Sequence, residues 1–273
     1  MSGRLIPVFC LLAFLLTACS RVELVYENAD WLGARQVANY LDLSSDQRGL
    51  LREEIQAYRE FHRAQRLPEM IAWLDQLETV LAQSQPSDET VAMLFDDGEA
   101  LLRRKAADVI PLTASTLRSL DSSQRINLAE QLAEGRREYA EERTPERAER
   151  TVQRVEAWAG SLGPGQRAHL ERCDQRLPDV TADWLSWRAA REKALLTLLE
   201  TKPEQEAVEH FLHDWWLNDA ARGPVLETAR IESRVVWQEC SRTLFATLTT
   251  AQRDAVRSQL ERYRGNFTSL AAR

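Results

Sequence analysis

The side chains able to do chemistry are few in these 273 residues, with four cysteines and four histidines. His210 and His213 stand at i and i+3, with Glu206, Glu209 and Asp214 nearby. That spacing can place two imidazoles on one helix face towards a metal. No His-Glu-x-x-His and no cysteine cluster accompanies them, so we expect a solvated polar face and assign no metal. His62 and His169 are isolated and read the same way. Glu53-Glu54 and Asp96-Asp97 are adjacent acids that would have to converge to cleave a glycan. Neighbours on a helix point about 100° apart, which argues against that chemistry. The chain lacks a Gly-x-Ser-x-Gly elbow, a Ser-x-x-Lys, a phosphate loop and a dinucleotide fingerprint. We therefore expect no enzyme and no cofactor. The net charge of −7 offers no basic surplus for phosphates, so no nucleic-acid partner is expected either.

The cysteines carry more information. Arg4 precedes the apolar run from Leu5 to Leu16, which is shorter than the roughly 20 residues of a permanent membrane helix. A basic start, a short apolar centre and small residues before a cut describe a signal peptide. Leu16-Thr17-Ala18-Cys19 resembles the bacterial lipobox. That resemblance implies cleavage before Cys19, a diacylglyceryl thioether on its sulfur and acylation of the new amino terminus. Several acyl chains make release from a membrane slow. Ser20, rather than Asp, points to the outer membrane. Cys10 leaves with the signal, and Cys173 and Cys240 remain in a compartment that permits disulfides. They either pair or act as two small buried hydrophobes.

The elements that hold these residues are helical. Apolar residues recur at steps of three and four through Leu50, Leu51, Ile55, Tyr58 and Phe61, and again through Met70, Trp73, Leu74, Leu77 and Leu81. Similar stripes run through Val91 to Leu102, Val152 to Trp158, Val208 to Trp215 and Val256 to Tyr263. No stretch alternates with period two, so the chain reads as all-α. Hydrophobic residues make up 44%, enough to bury a core. From Arg136 to Arg150 acids and arginines mix at helical spacing, consistent with exposed i,i+4 pairs.

The helix starts repeat. Leu43-Ser44-Ser45-Asp46-Gln47-Arg48 returns at Leu120 to Arg125, at Leu162 to Arg167 and at Leu248 to Arg253. Each reads as a capping box, in which Ser44, Asp121 or Thr249 accepts an amide hydrogen bond. Gln47, Gln124, Gln166 or Gln252 reaches back to the cap. The third copy uses Gly163 with Pro164 instead. Gln65-Arg66-Leu67-Pro68 also recurs, as Gln175-Arg176-Leu177-Pro178. Two similar halves are expected, each running through a capped helix, an Arg-Leu-Pro break, a second helix, a long third helix and a capped fourth. Residues 1–18 would be the signal, 19–42 a lipidated segment, 43–142 the first unit, 143–161 a helical connector and 162–273 the second unit.

Two resemblances rest on these residues. Leu24 to Trp31, Tyr40-Leu41-Asp42-Leu43 with Gln47, and Arg66-Leu67-Pro68 resemble an uncharacterised family of bacterial lipoproteins defined by a domain of unknown function. The Leu-x-x-x-Gln starts resemble the Leu-Thr-x-x-Gln motif of periplasmic Spy and CpxP proteins, strictly so at Leu248 to Gln252. That resemblance implies a curved antiparallel helical dimer that binds unfolded or membrane-associated proteins without ATP, or regulates a stress sensor. This chain would be its fused version: an elongated antiparallel bundle of two tandem four-helix units.

Eight tryptophans are spread along the chain. Trp215 and Trp216 are adjacent and cannot share one narrow core stripe, which leaves one of them free to face a groove or lipid headgroups; the plainer reading is that all eight pack in the core or in loops. The expected function is a membrane-anchored periplasmic lipoprotein that binds envelope proteins or unfolded clients, in the manner of an ATP-independent chaperone. The alternatives are an assembly accessory with one fixed envelope partner and a glycan-acting enzyme.

Overall fold

The structure is a computed structural model that describes residue 26, residues 28–142 and residues 147–273. Cys19 and the signal segment lie outside the described residues. The described residues form helices α1 (Ala29–Leu41), α2 (Ser45–Phe61), α3 (Leu67–Ala82), α4 (Asp88–Asp108), α5 (Ile110–Arg118) and α6 (Ser122–Glu142). Then follow α7 (Arg147–Ala159), α8 (Pro164–Gln175), α9 (Thr181–Glu200), α10 (Gln205–Leu217), α11 (Pro224–Thr247) and α12 (Thr250–Ala271). No strand occurs among the described residues, and the fold is an all-α bundle.

The four repeated motifs cap α2, α6, α8 and α12. The Ser44 and Thr249 hydroxyls accept from the amides of Gln47 and Gln252, and the Asp121 carboxylate accepts from that of Gln124. All four Gln Oε1 atoms accept from the cap amide, at 2.8 to 3.0 Å. At Gly163 only this second half of the box exists. The leading leucines, Leu43, Leu120, Leu162 and Leu248, are buried.

The halves correspond helix by helix, α1–α6 with α7–α12. Packing follows the same correspondence. Helix α1 packs on α2 and α6, as α7 packs on α8 and α12. This corrects the sequence reading at two points. Helix α7, within the segment read as a connector, holds the place in the second half that α1 holds in the first. Among the described residues each half has six helices rather than four, because α1 and α7 precede the capped helices and the expected long third helix is divided in two. Helix α5 begins at Ile110, directly after Val109, with Pro111 in its first turn. In the second half Gly223 stands at φ +84°, in the left-handed region that favours glycine, and Pro224 opens α11.

The Arg-Leu-Pro breaks also differ between the halves. After Gln175 helix α8 ends, and Asp179 receives the amide and hydroxyl of Thr181 as α9 begins. At Pro68 the chain remains helical. Proline has no N–H and crowds the carbonyl four residues back. His62–Arg66 widens into a π-helical turn, and the Leu67 amide donates to the His62 carbonyl five residues earlier.

The halves exchange helices. The third helix of each repeat packs on the last helix of the other: α3 on α12, and α9 on α6. One core therefore joins Ala34, Leu43, Leu51, Leu117 and Leu128 to Leu195, Leu199, Val208 and Leu212. The other joins Leu74 and Leu81 to Val152, Leu170, Leu244 and Leu260. Neither core belongs to one half of the sequence.

Candidate functional site

Helix α3 presents Met70, Trp73 and Leu74 on one face, and α4 presents Gly98, Leu101, Leu102 and Lys105 at i, i+3, i+4 and i+7. With Trp158 of α7 and Tyr263 and Phe267 of α12 they line a groove of about 370 Å³. That volume lies in the range of roughly 300–1,000 Å³ typical of ligand sites. Leu74 and Leu101 form a buried floor. Leu102 and Trp158 stand on the rim, 68% and 36% exposed.

The walls are held in place. Trp73 donates its indole N–H to the Leu94 carbonyl at 3.1 Å. Its ring lies against Gly98, where an added Cβ would meet Nε1 at 3.0 Å. Trp158 stacks on Tyr263 with centroids 5.3 Å apart and planes 15° apart, and Phe267 lies 6.0 Å beyond Tyr263. Ion pairs brace α4 against α11, since Arg234 reaches Asp96 and Glu99, and Arg230 reaches Glu99 at 3.5 Å. The Asp96 carboxylate is thereby committed to an arginine.

The matching helices of the two repeats differ at one position of the groove wall. Gly98 is the eleventh residue of α4, and Trp215 is the eleventh residue of the matching α10. Trp215 packs edge-on to Phe211, with centroids 5.9 Å apart, and both border the first core with Trp216. Trp215 and Trp216 are both half-buried against the first core, as the core-packing reading of the tryptophans has it. Trp73 and Trp158 line the groove. Gly98, against which the Trp73 ring packs, is a residue of this wall that sequence analysis did not single out.

The remaining candidates separate. Cys173 of α8 and Cys240 of α11 are joined in a disulfide with Cα atoms 6.2 Å apart. His169 Nε2 lies 3.6 Å from Cys173 Sγ and 3.0 Å from the Cys240 carbonyl. These three residues are the metal-spaced group found among the described residues. With both sulfurs bonded to each other, the group presents no thiolates to an ion. His210 and His213 are exposed, as is Glu53, while Glu54 is half-buried on α2.

The four glutamines come together in two pairs, Gln47 with Gln124 and Gln166 with Gln252. Each Nε2 also donates to the carbonyl preceding the partner's motif leucine: Ser119, Asp42, Thr247 and Ser161. Their amides are occupied in joining helix starts, so the motif is structural.

A model of a family of unknown function, DUF6279, matches residues 39–219. The chain belongs to this family. The DUF6279 match runs from within α1 to the turn after α10. It contains the α3, α4 and α7 walls of the groove, while Tyr263 and Phe267 lie beyond it. No curated protein and no solved structure matches the chain.

Proposed function

We propose that this chain is a lipid-anchored helical protein of the bacterial envelope that binds apolar segments of other proteins in its aromatic groove without nucleotide. The observation that carries this reading is the groove lined by the half-buried Trp73, Tyr263 and Phe267 and rimmed by the exposed Leu102 and Trp158. Apolar side chains lining an open concave site favour apolar partners. The lipobox-like segment ending at Cys19 supports the anchor, and Ser20 supports the outer membrane. The resemblance of the four helix starts to the Spy and CpxP motif supports a chaperone-like role.

The test is aggregation of a denatured, unrelated protein. A chain lacking only residues 1–19, and so retaining every described helix, should delay aggregation at near-stoichiometric ratios without ATP. Leu102→Glu places a charge on the rim without touching the core, and should remove most of that protection at unchanged helicity. If no client responds and one envelope protein binds stoichiometrically, the chain is instead an assembly accessory.

A further inference from the structure

One end of the groove is charged. Lys105 sits one turn beyond Leu101 and Leu102 on α4 and lines the same surface. Its ammonium is half-buried, and its hydrogen-bond partner is the Met70 sulfur at 3.7 Å. Thioether sulfur is a weak acceptor. No carboxylate pairs with Lys105 among the described residues. The acid one turn further along α4, Asp108, is taken by Arg66, whose Nε and Nη2 donate to it at 2.6 and 3.0 Å. Glu69 on α3 is likewise taken, by Arg66 and Arg104. Burial lowers the Lys105 pKa below its ordinary value with no neighbouring charge to offset it.

A half-buried cation without an anion is unfavourable, and a bound carboxylate would relieve it. The groove is open along its length and walled by aromatic faces. That form suits two or three side chains of a longer molecule, which gain from packing on the rings. We propose that the groove selects apolar peptide segments that bear a carboxylate at one end, such as an apolar chain terminus, with Lys105 pairing to that carboxylate. This rests on the groove being the binding site and adds the chemical class of its occupant.

The experiment uses the chain lacking residues 1–19 and two fluorescently labelled pentapeptides of Leu and Phe. One ends in a free carboxylate and the other in a carboxamide. Anisotropy should show the carboxylate form binding roughly fivefold more tightly, the scale of a partly exposed ion pair. Lys105→Met should abolish that preference while retaining the amide peptide, and Lys105→Arg should keep it. Equal binding of both peptides to the wild type overturns the role of Lys105 and leaves the groove reading intact. Binding of neither peptide overturns both. Lys105-dependent binding of laurate in place of the peptides would make the occupant a lipid and overturn the proposal.

Discussion

Gln47 and Gln124 hold each other through both ends of their amides, Nε2 to Oε1 at 2.9 Å in one direction and 2.7 Å in the other. Gln166 and Gln252 repeat the arrangement at 2.9 Å each way. Each oxygen also accepts its own cap amide, and each nitrogen also donates to a backbone carbonyl. Glutamate can keep the acceptor role but cannot donate when ionised. Gln124→Glu at pH 7 should therefore cost about 2–3 kcal/mol through unpaired buried polar groups. Urea unfolding measures this. An unchanged midpoint would mean that the pair contributes nothing to stability.

The disulfide closes a loop between positions 67 apart and ties α8 to α11. Its loss should cost about 4 kcal/mol in the loop-entropy account. Cys173→Ala with Cys240→Ala should lower the urea midpoint, and reductant should lower the wild type to match. A double variant as stable as the oxidised wild type would contradict this.

Glu192 is 2% exposed on α9, and it meets Arg188 Nε at 2.7 Å and Arg136 of α6. It lies where α9 crosses into the other half's core. Glu192→Gln leaves two guanidinium groups facing a neutral amide. Breaking a buried pair costs on the order of 3 kcal/mol, and at this exchanged contact thermal unfolding should fall accordingly. A Tm within error of the wild type would show that the crossing does not depend on the pair.

His62, in the π-helical turn, is buried with Tyr26 Oη 3.0 Å from its Nδ1. Burial, with a smaller contribution from Lys105, lowers its pKa to about 4. The unfolded imidazole has the ordinary pKa of about 6.5. The unfolded chain thus binds more protons, and the stabilisation is present above pH 6.5. It is lost as pH falls from 6.5 through 4, by at most ~3 kcal/mol. His62→Gln should lose less stability over that window than the wild type. Parallel stability–pH curves would place the pH dependence elsewhere.

The helix starts were legible because a capping box is local. Ser44 and Gln47 are three residues apart, and their sequence contains the whole interaction. Which glutamine meets which was not legible, because those contacts cross between helices far apart in the chain. The same limit hid the exchange of α3 and α9, since an apolar stripe states that a face is buried without saying against what. Arg136 read as one of several helix-surface charges, yet its partner is Glu192 on another helix. The Arg-Leu-Pro repeat looked alike in both halves, and the context around Pro68 and Pro178 decided between a π-helical turn and a break. The difference in the groove wall shows only on comparing Gly98 with Trp215 at equal depth in two helices. That comparison needs the helix registers, which drifting offsets between the halves obscure.

The claim that the groove is the binding surface is tested most directly by site-specific photocrosslinking with a purified denatured client. A benzophenone amino acid replaces Leu102 on the groove rim, or Ile126 on α6, which is comparably exposed at 63% but lies outside the groove. The account predicts strong crosslinks from position 102, competed by an apolar peptide, and only background from position 126. Equal crosslinking from both positions, or none from position 102 while aggregation is still delayed, would contradict it.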